Sequence, residues 1–447
     1  MHDPTVTSHY SPNTDTDREA MLAAIGVESA AELFDDIPED FRFPPLDIPT
    51  PLSEFELRQE LGDLAAQNAT PGDFACFLGA GSYRHHVPAI VRALAFRGEF
   101  LTSYTPYQPE VSQGTLQAHY EFQTLICQLT GMDVANAGMY DGATSLAEAA
   151  MMAARITKRN RIVLAETVSP GYQSVVRTYT QGHDNLQVDV IAANGSDIPD
   201  DAACVVVQQP DFFGSLHDLE ALASRVHELG ALLIVSVDLA SLGMFNPPGS
   251  YDADIVVAEA QTLGVSPSYG GPYVGVLACK GGRDFLRQLP GRIVGQTVDT
   301  EGRTGYVLTL QTREQHIRRE RATSNICTSV GLIALMSAIY MAAQGKQGLR
   351  HTAELCYHKA HYLASLIEDI PGYSLPLQGT FFREFVVQCP LPPSEVNRRL
   401  LDYKIIGGLD VSDRIENGIL LCCTDVNTRE EIEALASALA EIGADAS

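Results

Sequence analysis

Residues Val256 to Lys280 read VVAEAQTLGVSPSYGGPYVGVLACK and carry the clearest indication of the fold. It begins as an apolar strand, passes through a loop of Ser, Gly and Pro, and ends as a second apolar strand. Apolar runs of similar length occur at 161–165, 188–192, 203–208, 231–237, 254–257 and 274–278. Helical patterns separate several of these runs. The alternation predicts an α/β fold with a mainly parallel sheet that is covered by helices on both faces.

The length of 447 residues exceeds what one hydrophobic core usually serves, so we expect two lobes and an N-terminal extension. The extension covers 1–70 and combines helices with a proline-rich strap. The large α/β domain covers 71–328. A small C-terminal α+β domain is predicted at 329–447, where a long helix precedes a βαβα pattern.

The formal net charge of −26 argues against binding to nucleic acid or to an anionic membrane surface. The nine cysteines contain no CxxC pair, which favours reduced, buried thiols of an intracellular protein. The first residues lack the order of a signal peptide, and no apolar run reaches about 18 residues. We therefore expect a cytoplasmic protein with no membrane partner.

Lysine is rare in the chain, and its positions bear on cofactor chemistry. In one class of enzyme, a lysine at the end of a strand holds pyridoxal phosphate as a Schiff base. The five lysines are Lys158, Lys280, Lys346, Lys359 and Lys404, and none lies between the first two. The sequence therefore predicts the scaffold of a pyridoxal-phosphate enzyme without its covalent anchor.

Two further features suit such a scaffold. The run Asn136–Ser145 precedes a helix and could bind a phosphate through free backbone amides, although a capped helix after a glycine turn is the simpler interpretation. Asp238 follows the apolar run 231–237, a position from which a carboxylate can pair with a pyridinium nitrogen. Acidic residues are common at strand ends, so this match is weak by itself.

The loop 104–114, YTPYQPEVSQG, concentrates two tyrosines, a glutamate and two amides between stiffening prolines. Such rigid polar density favours a functional site, and a turn-rich surface loop is the alternative. The arginine-rich run 313–328 predicts a solvated helix, or alternatively an anion contact. His85, His86, His358 and His361 lack further ligands in the sequence, so we predict no metal site.

Four segments together resemble the P-protein of the glycine cleavage system. They are the loop YTPYQPEVSQG, the run NAGMYDGATSLAEAA, the early ELFDDIP and the stretch from LPGRIVGQTVD to RATSNICT. The chain is most similar to subunit 1 of the split form, which corresponds to the N-terminal half of the fused enzyme. The resemblance covers about residue 31 to the C-terminus. It implies a fold-type I, aspartate-aminotransferase-like scaffold.

The resemblance also implies where the cofactor is held. Counting back from Gly270 places Gln261 where subunit 2 of the family carries its Schiff-base lysine, and a carboxamide cannot form that bond. Ser169 stands where the family more often has histidine. Pyridoxal phosphate would therefore be bound covalently by subunit 2 and not by this chain. The phosphate cradle and Asp238 would be vestigial.

Enzymes of this fold build their sites at dimer interfaces, so the resemblance implies residues lent to the partner. The catalytic candidates lent to the partner's site are Tyr104, Tyr107, Glu110 and Gln113. The candidates for contact with the partner's cofactor phosphate are Thr323, Ser324 and Asn325.

The expected function is that of one subunit of glycine dehydrogenase (aminomethyl-transferring). With subunit 2 it would decarboxylate glycine and pass the aminomethyl group to the lipoyl arm of the H-protein, in a heterodimer or a dimer of heterodimers. One alternative is a non-catalytic scaffold or regulatory partner of subunit 2. Another is a self-sufficient pyridoxal enzyme, which would need a lysine that the sequence does not place.

Overall fold

The structure, a computed structural model, describes residues 13–42, 44, 45, 47–326 and 330–445. The chain divides into two units, Met1–Asn68 and Ala69–Ser447. The domain boundaries expected from the sequence stay a prediction. The boundary placed between residues 328 and 329 falls outside the described residues.

The described part of the first unit contains two α-helices, α1 (Asp15–Ile25) and α2 (Glu54–Ala65), and 3₁₀ segments at Ala30–Phe34 and Glu39–Phe41. Each α-helix begins with a capping box, formed in α2 by Ser53 and Glu56. None of the described residues between 13 and 68 is buried. The described residues of this unit therefore form no buried core of their own.

The second unit contains the remaining helices. They are α3 (Ala89–Ala95), α4 (Gly98–Leu101), α5 (Gln113–Thr130), α6 (Gly142–Thr157), α7 (Pro170–Thr180), α8 (Leu219–Glu228), α9 (Arg283–Gln288), α10 (Gln315–Arg318), α11 (Gly331–Glu368), α12 (Pro393–Leu400) and α13 (Arg429–Ala444). Short 3₁₀ segments lie at Pro109–Val111, Ser241–Gly243, Pro248–Tyr251, Gln311–Arg313, Arg319–Arg321 and Leu401–Tyr403. The long helix α11 has non-helical backbone angles at Gly345, which breaks it into two helical parts.

The strands also lie in the second unit. They are β1 (Ala75–Cys76), β2 (Val134–Ala135), β3 (Arg161–Ala165), β4 (Gln187–Ile191), β5 (Ala202–Gln209), β6 (Leu232–Val237), β7 (Ile255–Glu259), β8 (Gly275–Cys279), β9 (Ile293–Val298), β10 (Thr304–Thr309), β11 (Glu384–Gln388), β12 (Ile405–Ile406), β13 (Leu409–Asp410) and β14 (Gly418–Cys422).

Seven strands form the central sheet in the order β2-β8-β7-β6-β5-β3-β4. The five from β7 to β4 pair in parallel, whereas β8 and β2 pair antiparallel. Apolar side chains of β5, β6 and β7 are almost wholly buried, as expected for a sheet with helices on both faces. The prediction of a mainly parallel sheet is confirmed.

A smaller antiparallel sheet, β11-β14-β13, packs with α12, α13 and the second part of α11 around a separate apolar cluster. The antiparallel hairpin of β9 and β10 was not predicted from the sequence. The run 313–328 does not form the single solvated helix expected of it over its described residues. These contain α10, of four residues, and two short 3₁₀ segments.

No helix among the described residues is long and apolar enough to cross a membrane. The eight cysteines in the described part of the chain are all free, and six of them are buried.

Candidate functional site

The carboxyl edge of the parallel sheet carries Asp238 and Gln261, which are candidates from the sequence, and Glu259, which is not. Asp238 directly follows β6, and Glu259 is the last residue of β7. Gln261 follows two residues later. The cavity between these strands and the small sheet measures only about 50 Å³, which is room for a few water molecules. No lysine lies among the residues that line it.

Gln261 is completely buried, and its carboxamide is fully used. Its Oε1 accepts a hydrogen bond from the Tyr83 backbone N–H at 2.8 Å. Its Nε2 donates to the carbonyl oxygens of Tyr83 at 2.8 Å and Val265 at 2.6 Å. The residue at the expected anchor position is therefore a structural tie between two loops.

Asp238 is paired within the chain. Its Oδ2 lies 2.5 Å from Nη2 of Arg383, a residue just before β11 that is only 1% exposed. The guanidinium carbon of Arg383 also lies 3.5 Å from the ring centroid of Tyr83. The carboxylate that could pair with a pyridinium nitrogen instead holds an internal cation.

The same arginine connects to a buried histidine. Arg383 Nη1 lies 2.5 Å from His85 Nε2, and His85 Nδ1 lies 2.6 Å from Asp425 Oδ1. Burial lowers the pKa of His85, with Arg383 acting in the same direction, although the hydrogen bond to Asp425 opposes the shift. A neutral imidazole that donates from Nδ1 and accepts at Nε2 satisfies both neighbours.

Three potential metal ligands, from His85, Cys356 and Asp425, converge within 4.8 Å in the described residues, a grouping that the sequence spacing did not reveal. Both nitrogens of His85 are already engaged, one of them with the Arg383 cation. A metal ion there would meet the positive charge of the guanidinium. The cluster is accounted for by hydrogen bonding.

The N-terminus of α6, predicted to be a phosphate cradle, is occupied by a carboxylate. Oε2 of Glu259 accepts from the Gly142 backbone N–H at 3.0 Å. Its Oε1 accepts from Gln261 N at 3.0 Å and Val274 N at 3.1 Å. Burial raises the pKa of Glu259 to about 7, although these three backbone bonds lower it. A side-chain carboxyl group thus contacts the amide that a phosphate would use.

These contacts do not fit pyridoxal phosphate in this chain. Gln261 cannot form a Schiff base with the cofactor. Arg383 pairs with Asp238, the carboxylate that a pyridinium nitrogen would need. Glu259 bonds to the Gly142 N–H at the start of α6, which a phosphate would need. The remaining cavity of about 50 Å³ is far below the roughly 300 Å³ at which ligand pockets begin.

The loop 104–114 places the predicted catalytic residues on the surface of this chain. Tyr104 is 75% exposed and Tyr107 is 42% exposed. Glu110 lies in the 3₁₀ segment Pro109–Val111 and is also exposed. Gln113 differs because its amide is engaged: Nε2 donates to Pro109 O at 2.7 Å and Tyr306 O at 2.9 Å, and Oε1 accepts from Tyr306 N at 2.9 Å. Gln113 ties this loop to β10.

The second predicted group lies just before residues 327–329, which are outside the described part of the chain. Thr323 bonds to the carbonyl of Arg313, and Ser324 Oγ donates to Glu148 Oε1 at 2.6 Å. Asn325 is exposed. Among the described residues, these contacts do not bring the three residues together with the loop 104–114, which we call the tyrosine loop.

Beside the loop lies a cavity of about 310 Å³ with a mainly apolar lining. Tyr104, Thr105 and Pro106 form one side, and the first turn of α11 forms another. His119 of α5 also lines it. Burial, together with the nearby charge of Arg292, lowers the pKa of this histidine to about 4, so its imidazole is neutral near pH 7.

The sequence did not reveal the buried charged residues at these two sites. They are Arg383 and Glu259 at the carboxyl edge of the sheet and Arg292 beside the loop 104–114. A signal existed for two of them. Arg383 is a lone cation in the apolar run FFREFVV, and Glu259 ends an apolar strand. Charged side chains in such runs are rarely buried unless they are paired. Their partners lie far away in the sequence, so the pairs themselves could not be identified.

Comparison with known proteins is consistent across sequence and structure. The family model described as glycine cleavage system P-protein matches residues 8–439. A protein of Thermomicrobium roseum, named probable glycine dehydrogenase (decarboxylating) subunit 1, is 53% identical over 97% of this chain and 99% of its own length. A relative of the same name from Maricaulis maris is 47% identical over 97% of this chain and 99% of its own length.

Among solved structures, a glycine decarboxylase (P-protein) of the glycine cleavage system in inhibitor-bound form is similar with a TM-score of 0.90 and 44% identity. The match covers 97% of this chain and 99% of that one. Sphingosine-1-phosphate lyase from Burkholderia pseudomallei, at 16% identity and a TM-score of 0.63 over 90% of this chain and 94% of that one, shares the fold. The predicted fold class and the resemblance are confirmed: the chain belongs to the glycine cleavage system P-protein family.

Proposed function

We propose that this chain acts as subunit 1 of glycine dehydrogenase (aminomethyl-transferring) and shares one active site with a lysine-bearing subunit 2. The complex would decarboxylate glycine and transfer the aminomethyl group to the lipoyl arm of the H-protein. Pyridoxal phosphate on subunit 2 would supply the electron sink for the loss of carbon dioxide. This chain would contribute side chains and no cofactor.

The observation that carries the proposal is the filled pocket at the carboxyl edge of the sheet. The three positions that would hold the cofactor are occupied by side chains of this chain. Gln261 stands at the anchor position, Arg383 pairs with Asp238, and Glu259 bonds to the N-terminus of α6. A chain that keeps the fold but fills this pocket has no cofactor site of its own there. Its contribution to the reaction must then come from another surface.

The tyrosine loop is the surface that suits this role. Tyr107 accepts a hydrogen bond from Arg292 through its hydroxyl oxygen, so its own O–H proton remains available to an outside acceptor. Glu110 presents a carboxylate three residues later, and Gln113 fixes the end of the loop. Groups that are held before substrate arrives contribute most to a reaction. We propose Tyr104, Tyr107 and Glu110 as the residues lent to subunit 2.

The side chains of Gln113, Thr323 and Ser324 already form hydrogen bonds within the chain. We therefore propose that each of them holds its own segment in place and does not contact the substrate. Asn325 is exposed and stays a candidate for contact with the cofactor phosphate of subunit 2.

The first unit supports assembly with another chain. Helix α2 carries Leu57, Leu61 and Leu64 on one face, and these side chains are 46% to 55% exposed. Isolated helices of this length are marginal in water, so such a face needs a surface to cover it. Residues 13–68 hold fourteen acidic and three basic side chains. A second copy of this chain, with its net charge of −26, would repel them. Subunit 2 is the partner we propose.

The test is to incubate each purified subunit with equimolar pyridoxal phosphate, reduce it with borohydride, and map the label by mass spectrometry. We expect label on a lysine of subunit 2 and none on this chain. A Gln261→Lys variant is the matched control. Because Arg383 and Glu259 still occupy their positions, it should also remain unlabelled. A stoichiometric label on any lysine of the parent chain would contradict the proposal.

A scaffold without lent residues is the competing function. The two are separated by changing the loop and not the pocket. A scaffold predicts full activity for every assembled loop variant, whereas a shared site predicts slow turnover with normal assembly.

A further inference from the structure

Arg292 is a buried cation that neither the fold nor the filled pocket explains. It immediately precedes β9 and is 2% exposed. Its backbone carbonyl accepts from Ala137 N at 2.8 Å. Val294, two residues after Arg292, is held by the side chain of Gln123 from α5. The amide of Gln123 donates to the Val294 carbonyl at 3.1 Å and accepts from the Val294 N–H at 2.9 Å. The backbone around Arg292 is therefore fixed by neighbours on both sides.

The side chain of Arg292 contacts Tyr107 of the loop. Arg292 Nη2 donates to the Tyr107 hydroxyl oxygen at 2.8 Å, and the guanidinium carbon lies 5.2 Å from the centre of the tyrosine ring. The ring of His316 packs edge-on against the same tyrosine, with a centroid distance of 5.4 Å. A buried cation and a second ring together restrict the orientation of the phenol.

Glu314 is the acidic residue nearest to Arg292 in a salt bridge, but it forms no hydrogen bond with the guanidinium. Glu314 Oε2 lies 3.8 Å from Arg292 Nε, which is too far for a hydrogen bond. The same oxygen lies 3.5 Å from His316 Nδ1. Neither Arg292 Nε nor Glu314 Oε1 has a hydrogen-bond partner among the described residues. The hydroxyl of Tyr107 is thus the side-chain group that Arg292 holds at hydrogen-bonding distance.

We propose that Arg292 is the positioning residue for Tyr107: it occupies one lone pair of the hydroxyl and directs the O–H proton outward. This inference rests on the proposed function, in which Tyr107 faces the substrate on subunit 2. The substrate side then meets a hydroxyl whose O–H proton is free to be donated toward it. The acceptor that such a donor suits is an anionic oxygen, such as the carboxylate of glycine.

The first test reads the contact itself in the full-length chain, without cofactor or turnover. The chain is labelled with ¹³C at the tyrosine Cζ atoms, and Tyr107→Phe identifies the Tyr107 resonance among the 17 tyrosines. Arg292→Gln should move that resonance, because Cζ reports on hydrogen bonding at the attached oxygen. Arg313→Gln is the matched control. Arg313 is also a buried arginine, but it donates to the carbonyls of Leu289 and Gly291. That variant should leave the resonance in place.

The second test is a double-mutant cycle in the holo complex with subunit 2, measured as glycine–bicarbonate exchange. Tyr107→Phe and Arg292→Gln should each lower kcat about 10- to 1000-fold. In the Tyr107→Phe background, Arg292→Gln should cost less than about 2-fold more. Arg292→Lys, which keeps the charge and one donor, should recover part of the loss. It also serves as the test variant if Arg292→Gln does not assemble.

The outcomes separate the two claims. A Tyr107→Phe complex with the parent rate would overturn the shared-site role of Tyr107 and this inference with it. A slow Tyr107→Phe complex in which Arg292→Gln costs the same as in the parent would overturn this inference alone. An unmoved Tyr107 resonance in Arg292→Gln would also overturn it.

Discussion

The substitution Arg383→Met removes the guanidinium that pairs with Asp238 but keeps much of the side-chain volume. Arg383 is 1% exposed, and its loss leaves Asp238 with the Ala240 backbone N–H at 3.0 Å as a partner. Removing one member of a buried ion pair costs about 3–5 kcal/mol. The Asp238 side chain is 15% exposed, so water offsets part of the cost. We therefore expect a loss of about 3 kcal/mol, at the lower end.

The second unit, Ala69–Ser447, has about 380 residues, so at about 2.1 cal/mol/K of unfolding entropy per residue this loss corresponds to a fall in melting temperature of about 4 °C. Calorimetry of the full chain provides the measurement. The double variant Arg383→Met with Asp238→Asn should recover at least about half of the loss, because the unpaired charge is gone. Arg350→Met is the control, since Arg350 pairs with Glu354 at the surface of α11 and its loss should leave the melting temperature close to that of the parent. If Arg383→Met melts with the parent, or the second change destabilises further, Arg383 does not neutralise Asp238.

Three further predictions concern other parts of the chain. The pKa of Glu259 is raised from 4.5 to about 7, so the folded chain binds more protons than the unfolded chain between these pH values, and this contribution to stability is lost as the pH rises through that window. The melting temperature of the parent minus that of Glu259→Gln should accordingly be smaller at about pH 7.5 than at about pH 5. An equal difference at the two pH values would contradict the raised pKa of Glu259. Leu57→Asp with Leu61→Asp should weaken association with subunit 2 by at least about 10-fold in sedimentation, without changing the melting temperature of the isolated chain, and unchanged association would exclude this face as the contact. Gln113→Leu removes the bonds that tie the loop to β10, so amide exchange across 104–112 should accelerate; unchanged exchange would show that the loop is held elsewhere.

The parallel sheet could be predicted because its strands are short apolar runs between helical patterns, and such runs carry a strong local signal. The predicted strand 161–165 coincides with β3, and the others lie within about two residues of the observed bounds. The hairpin of β9 and β10 has a weaker signal. Its sequence mixes glycine, threonine and charged residues, and its pairing, for example of Thr297 with Gly305, is set by packing against α5.

The candidate site was predictable only in part. The rigid loop around Tyr107 stands out by composition, and the absence of lysine near Gln261 is visible directly. The pairs Arg383 with Asp238 and Arg292 with Tyr107 join residues 145 and 185 positions apart. No local pattern specifies such partners, because a buried charge selects whichever counter-group the fold brings near.

The most direct test of the shared site measures glycine–bicarbonate exchange by complexes that carry Glu110→Gln or Tyr107→Phe in this chain. Glu110→Gln removes a charge with little change in volume, and Tyr107→Phe removes one hydroxyl. If these groups face the substrate on subunit 2, each change should lower exchange by about 10- to 1000-fold while assembly and the cofactor absorbance of subunit 2 stay those of the parent. If both variants assemble normally and exchange glycine at the parent rate, this chain lends no catalytic group and serves only as a scaffold.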